Sequence, residues 1–231
     1  MKILTILLSA CKKIFVDHNY ILYNIKEAKM LKNRMHYLLF LFYFIFTGSL
    51  YAAQYDIDNV HSFVNFKIRH LNIGYVTGRF NNFKGTINFD MNKLQSSSVS
   101  ANITSGSIDS TITDRDSDLK SPTFLDTAKY PEITFVSKKI IKLNNNKFKI
   151  IGDLKIKNVT KEIKLDAKYL GNAIDQFNND KIAFRASTRI NRFDYGVSFD
   201  GKLKNGYPMI GKTVYITLFI EAIKQKKEGA K

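Results

Sequence analysis

Period-two alternation of apolar and polar residues constrains this chain more than any other feature. In 161–170, "KEIKLDAKYL", Ile163, Leu165, Ala167 and Tyr169 alternate with Glu162, Lys164, Asp166 and Lys168. In 181–190, "KIAFRASTRI", Ile182, Phe184, Ala186, Thr188 and Ile190 alternate with Ala183, Arg185, Ser187 and Arg189. Successive side chains of a strand point to opposite faces, so each run reads as a strand with one face in water and the other in a core. Comparable runs at 62–70, 79–90, 98–106, 132–143, 146–157, 161–170, 181–193 and 212–223 make eight candidate strands. The stretches "LNNNK" (143–147), "KNVTK" (157–161) and "GNAIDQFNND" (171–180) between them carry hairpin-turn residues. Eight antiparallel strands are enough to close a barrel and remove exposed edges. The expected fold is therefore an all-β, eight-stranded antiparallel barrel.

One region breaks the rhythm. Residues 110–131, "STITDRDSDLKSPTFLDTAKYP", offer Ser, Thr and Asp as N-caps, acidic residues early, Lys120 late and Pro122 just beyond. These are the start and stop signals of a short helix, expected around 111–126, where it would cover a barrel opening. Its charges serve equally as caps and surface ion pairs. Lys155, Lys157, Lys164 and Lys168 are expected at outward strand positions, where charge discourages edge pairing.

The run "HYLLFLFYFIFTGSLYAAQYD" (36–56) sets where the working protein begins. Lys32 and Arg34, the apolar stretch 37–47 and the small residues of "SLYAA" have the three parts of a secretory signal, with cleavage after Ala52 or Ala53. A membrane-spanning helix needs about 20 apolar residues, and Gly48 and Ser49 interrupt this run too early. The order of segments predicts an N-terminal extension and leader over 1–52, with translation starting at Met30 or Met35, and one barrel domain over 53–231. Upstream, "LLSAC" (7–11) has the look of a lipoprotein signal ending at Cys11, but a second export signal directly after a lipidated cysteine makes little sense. The leader holds seven of the 36 Lys/Arg and two of the 20 Asp/Glu, leaving the remainder at +11. It also holds the only cysteine, so the exported domain has no disulfide and no thiolate metal ligand. Its polar end, "KQKKEGAK", reads as a frayed tail.

Candidate chemistry is sparse. Asp58, His61, Ser62 and His70 are the residue types of a hydrolytic triad, yet no nucleophile elbow such as G-x-S-x-G is present. His61 and His70 are nine apart, and odd spacing puts them on opposite faces of a strand, which argues against a two-histidine metal site. No catalytic residue, metal or cofactor is expected. The sequons at 102–104 and 158–160 add little. Nucleic-acid binding would want exposed stacking aromatics beside the basic residues and is not expected of an exported chain, whereas weak attraction to an anionic membrane surface is.

The segments "YDIDNVHSFVNFKIRH" (55–70), "GRFNNFKGTINFD" (78–90), "SGSIDSTITDRDSDLKSPTFLDTAKYPEITFVS" (105–137), "GDLKIKNVTKEIKLDA" (152–167) and "INRFDYGVSF" (190–199) together resemble the YceI-like family of bacterial periplasmic lipid-binding proteins. The resemblance implies a lipocalin-like barrel whose interior holds a polyisoprenoid, an isoprenoid quinone or a fatty amide, with no shared catalytic reaction. Two positions depart from the family pattern: Asp118 stands where relatives often carry His, and "KNVT" (157–160) where many have a His-Gly pair before Val-Thr.

An eight-stranded barrel is either filled by side chains or widened to hold one small ligand. Each buried methylene contributes about 0.8 kcal/mol, so a chain of about ten offsets the several kcal/mol lost on association. Alternation places Val64, Phe66, Ile68 and His70 inward on the first long strand, with His61, Asn65, Lys67 and Arg69 on the other side. By the same rule Ile163, Leu165, Tyr169, Ile182, Phe184 and Ile190 face inward, and Phe80, Phe83, Ile87, Phe89 and Phe135 join the ligand-lining candidates. The expected function is a periplasmic or secreted carrier, monomeric or homodimeric, of a long isoprenoid or fatty ligand. A secreted basic β-domain acting as a protein-interaction or adhesion factor without a lipid ligand is the alternative, and a barrel filled by side chains would favour it.

Overall fold

The computed structural model describes Lys29, Met30, Lys32 and residues 52–226. The chain divides into two compact units, 1–50 and 51–231, and the second is described here. The expected leader run, Cys11 and the last residues of the tail lie outside the described residues. Among those described, no helix is long and apolar enough to cross a membrane.

The alternating runs become strands β1 (Ala53–Ile57), β2 (Phe63–His70), β3 (Gly74–Phe80), β4 (Phe83–Phe89), β5 (Ser98–Thr104), β6 (Ile108–Asp109), β7 (Glu132–Asn144), β8 (Lys147–Ile156), β9 (Val159–Ile174), β10 (Asp180–Asn191) and β11 (Ile210–Lys224). A helix α1 (Thr113–Lys120) lies between β6 and β7. Every pairing is antiparallel, and β1-β4-β5-β7-β8-β9-β10-β11 closes on itself because β11 also pairs with β1. This is an eight-stranded barrel.

β11 makes the closure. One edge pairs with β10 from Thr213 to Ile223. The other pairs first with β2, from Ile210 to Phe219, and then with β1, from Ala222 to Lys224. β1 and β2 thus act as two halves of one bent strand. At one end of the barrel the ring runs through β1 and β4; at the other, β2, β3 and β6 form a flap that leads into α1. The sequence pattern missed β1, most of β3 and β6. It also read 79–90 as one strand, whereas Asn81 and Asn82 break it: the Asn81 amide bonds the Ser107 carbonyl and the Asn82 amide bonds the Ser107 hydroxyl.

The hairpins follow local chemistry. β7–β8 and β8–β9 turn in two residues, with Lys157 at φ 55. Strand β9 continues through Ile174, well into the stretch expected as a turn. A bulge permits this: register shifts between Ala183 and Phe184, so Leu170 has no partner, and Gly171 takes φ 140, which side chains other than glycine's rarely adopt.

The core is divided. One cluster joins Ile133, Phe135, Leu154, Ile156, Leu165, Ile190 and Tyr195 along the wall. A second, of Tyr55, Ile87, Ile182 and Ala222, closes the β1 end, and a third joins Leu94, Phe148, Ala167 and Ala186 beside it. Phe89 binds these together, its ring 5.0 Å from Phe184, 5.4 Å from Tyr169 and 6.2 Å from Phe148. The contacts with Phe184 and Phe148 are edge-on and that with Tyr169 is tilted; such pairs add to burial, and they make a solid floor.

An ionic latch locks the same end. Lys181 Nζ lies 3.0 Å from Asp58 Oδ2 and 3.7 Å from Glu221, joining the β1–β2 corner to β10 and β11, and His61 Nδ1 is 2.8 Å from the same Asp58 oxygen. Burial alone would raise the Asp58 pKa, but Lys181 and His61 outweigh it and hold the carboxyl below the usual carboxylate range. The hydrogen bond to Asp58 in turn raises Lys181. A depressed carboxylate adds stability above its unfolded pKa of about 3.9 and loses it as pH falls through the folded value. Asp58→Asn is therefore expected to lower stability at pH 7 by about 1–3 kcal/mol and to flatten the acid limb below about pH 4, as read from urea midpoints across pH.

Wall packing is equally specific at Gly152, where an added Cβ would come within 2.6 Å of the Phe135 ring and 2.5 Å of the Val136 carbonyl. Gly152→Ala is expected to cost about 1–3 kcal/mol, measured by the same unfolding midpoint.

Candidate functional site

Between the floor and α1 the barrel is hollow. The lumen has a volume of about 760 Å3 and an overwhelmingly apolar wall. Its size lies within the range of about 300–1,000 Å3 usual for small-molecule sites. From Ile182 in the floor to Ile190 near the helix, eight residues of β10 at ~3.4 Å each span roughly 27 Å.

Alternation delivers most of the wall. Val64, Phe66, Ile68 and His70 reach it from β2, Phe80 from β3, and Phe83, Ile87 and Phe89 from β4. Phe135 comes from β7, Ile163 and Leu165 from β9, and Phe184 and Ile190 from β10. Tyr169 and Ile182 face inward but lie outside the lining, because they are packed into the floor with Phe89, Phe184 and Ala222.

Several lining groups carried no clear signal. β11 supplies Val214, Ile216, Leu218 and Ile220, but two of its outward positions are large and aromatic too, Tyr215 and Phe219, each 40% exposed. Alternation therefore could not assign its faces. β8 supplies Phe148, Ile150, Leu154 and Ile156 across a register shift in its partner β7. Phe124, Phe199 and Met209 reach the lumen from irregular segments, where periodicity says nothing.

The helix covers the other end. Ile112, Asp114, Arg115, Asp118 and Leu119 all line the lumen. The cap differs from the expected one: Ile112 occupies the N-cap position and makes no side-chain cap. Instead, Asp116 accepts from the Ser110 amide and hydroxyl, and Arg115 donates to the Ser110 hydroxyl and carbonyl at 2.8 and 2.7 Å. Lys157 also departs from expectation. It does not stand outward in solvent; its Nζ donates to the carbonyls of Pro122, Phe124 and Gly196 at 3.1, 3.2 and 3.1 Å, tying the segment after α1 to the β8–β9 hairpin. Lys155, Lys164 and Lys168 are exposed as expected.

Few polar groups meet the lumen. Arg192, 4% exposed, spends its guanidinium on the carbonyls of Gly211, Val197 and Ile210, which fastens the loop between β10 and β11. Tyr195 is 2% exposed, and burial, with a smaller contribution from Asp194, pushes its pKa up to about 12. Its hydroxyl stays protonated and makes no hydrogen bond to another described residue, which leaves one neutral donor at the wall. His70 lies half-buried at the helix end, likewise without a side-chain hydrogen bond among the described residues.

The triad-type residues do not assemble. Ser62 Oγ donates to the Glu221 carbonyl, 3.1 Å away, and His61 turns to Asp58. Asp58, His61 and Glu221 are close enough to one another to suggest a cation site, but the Lys181 ammonium of the latch already supplies the positive charge there. A wider hollow of about 1690 Å3 lies along the outward face of β9, β10, β11, β2 and β3. Arg79, Lys161, Glu162, Arg185 and Arg189 line it, and it is more open than the lumen, so it offers little apolar burial.

The matches to known proteins agree with this geometry. The YceI-like domain profile covers residues 55–222. This chain belongs to the YceI-like family. It is 38% identical over 155 residues to Protein YceI of Escherichia coli, covering 66% of this chain and 81% of that one. It is 33% identical over 178 residues to a UPF0312 protein of Vibrio parahaemolyticus, covering 75% and 89%. Among solved structures, the Campylobacter jejuni YceI protein shares 28% identity with a TM-score of 0.59, covering 68% of this chain and 90% of that one. A polyisoprenoid-binding domain from Saccharophagus degradans, described as implicated in plant cell wall breakdown, shares the fold at 16% identity and a TM-score of 0.55, covering 74% and 98%.

If Lys157 fastens the covering segment of this family member, Lys157→Met is expected to lower stability by about 1–3 kcal/mol. It should also raise hydrogen exchange selectively in 112–130, which mass spectrometry of the exchanged peptides reads directly.

Proposed function

We propose that this YceI-like chain binds one long apolar molecule along its lumen and carries or sequesters it in the periplasm. The ligand class that suits the site is a polyisoprenoid, an isoprenoid quinone or a fatty amide. One observation carries this reading: inward side chains that would fill a smaller barrel here surround an open, apolar volume of about 760 Å3. An extended hydrocarbon placed there removes its methylenes from water at about 0.8 kcal/mol each, without any strong polar contact. A neighbour named as polyisoprenoid-binding supports the isoprenoid choice, and the leader-like run before residue 53 supports export.

The site suits holding rather than reacting. Its polar groups are few, and two of its lining guanidiniums are committed: Arg192 to three carbonyls and Arg115 to Ser110. Tyr195 and His70 are not committed in this way, and the neutral O–H of Tyr195 can donate to a carbonyl or hydroxyl oxygen of a ligand head.

Native mass spectrometry of the protein expressed with its own export signal, followed by organic extraction, tests the proposal. A discrete extra mass that extracts as a long-chain lipid is expected. A bare mass, with thermal stability unchanged by added quinones or fatty amides, would refute it. Substitutions sharpen the test, since Ile163 faces the lumen and Lys164 faces solvent on the same strand. Ile163→Trp is expected to abolish lipid retention while keeping the strand-rich circular dichroism spectrum, and Lys164→Trp to leave retention unchanged.

A further inference from the structure

A lumen that takes a water-insoluble molecule must exchange it with a bilayer, and the two ends of this barrel differ in what they present. At the helix end, the β2–β3 hairpin and the 201–209 loop project together, tied by the Leu71 amide bonding the Met209 carbonyl at 2.8 Å. Their tips carry exposed apolar side chains: Ile73 is 86% exposed and Tyr207 54%. The hairpin holds its tip with Leu71 and Asn72 both in the left-handed region, at φ 50 and 58. That conformation is uncommon for a leucine and strained. Just behind the tips, Ile68, His70, Met209 and Ile210 line the lumen.

The same two segments and the start of β11 are basic. Arg69, Lys202, Lys204 and Lys212 are all exposed, and among the described residues none makes an ion pair; Asp200 is the one acid in these stretches. α1 brings Asp114 and Asp118, with Arg115 between them, to the lumen, so its charges are mixed where those of the hairpin, the loop and the start of β11 are basic. The floor end also exposes apolar residues, Val60, Ile174 and Phe177. They surround Asp58, Asp175, Asp180 and Glu221, however, and the aromatic floor blocks the way in.

We propose that the hairpin–loop side of the opening, carrying Ile73, Tyr207, Arg69, Lys202, Lys204 and Lys212, docks on an anionic bilayer and sets the barrel over the lipid it loads or releases. Exposed apolar tips enter the interface, and lysine and arginine stems reach lipid phosphates from just above it. The proposal rests on the carrier reading and adds the surface through which exchange occurs.

The test uses the full chain in a Cys11→Ser background, with an environment-sensitive dye attached at Ile73→Cys or, as control, at Phe177→Cys. Vesicles of phosphatidylglycerol and phosphatidylcholine are expected to blue-shift the dye at 73 and leave that at 177 unchanged, the shift fading in pure phosphatidylcholine or high salt. A shift at 177 instead, no shift at either site, or a shift at 73 that follows protein concentration without vesicles would overturn the proposal, the last revealing a second copy of the chain as occupant. The double variant Ile73→Glu, Tyr207→Glu is expected to slow uptake of a fluorescent isoprenoid from those vesicles about tenfold, while its saturation binding of the same probe added from ethanol is unchanged. Loss of both in the parent chain would count against the carrier reading; normal binding with no dye shift would count against the docking surface alone.

Discussion

Closure of the sheet through β11 is the contact on which everything else depends. A barrel leaves no strand edge unpaired only if its last strand reaches its first, and β11 is long enough to hold β10 on one side and both β1 and β2 on the other. The Lys181–Asp58 latch sits where β1 gives way to β2, a break in the pairing along that edge. With the backbone satisfied by this ring, the inward side chains need not interdigitate across the middle. They pack in clusters along the wall and floor and leave the space between them open.

An open apolar volume inside a protein is expensive, because its lining gives up dispersion contacts that a filled core would keep. The chain concentrates its packing where it is needed. Phe89, Phe148, Tyr169 and Phe184 make the floor dense, while Lys157 and Arg192 hold the irregular segments of the other end through carbonyls rather than through apolar burial. The result is a rigid, closed end and an opposite end built from a helix, a hairpin and a loop. A site of this kind selects for length and apolarity far more than for head-group chemistry.

Much of this was legible in the residues. Alternation in 161–170 and 181–190 gave the correct faces of β9 and β10, and in 63–70 it separated Val64, Phe66, Ile68 and His70 from Lys67, although Asn65 and Arg69, expected outward, also border the lumen. The charges of 113–120 marked α1. What stayed hidden had physical reasons. β1 is five residues long and ends at the β1–β2 corner, too short for a period to register, and the outward face of β11 mixes Tyr215 and Phe219 with Thr213, Thr217 and Glu221. Tyr169 and Ile182 point inward as alternation requires, but depth along the barrel axis, not face, decides whether an inward residue meets the lumen or the floor. Lys157 has the sequence context of a turn lysine, and only the fold brings three carbonyls to its ammonium.

The most direct test of the account is the position of a bound ligand. The structure of the protein crystallised with the lipid it retains on purification should show one elongated molecule inside the barrel, its tail against Phe89 and Phe184 and its head toward Tyr195 and α1. A lumen closed by repacked side chains, or a ligand held in the charged hollow outside β10 and β11, would contradict it.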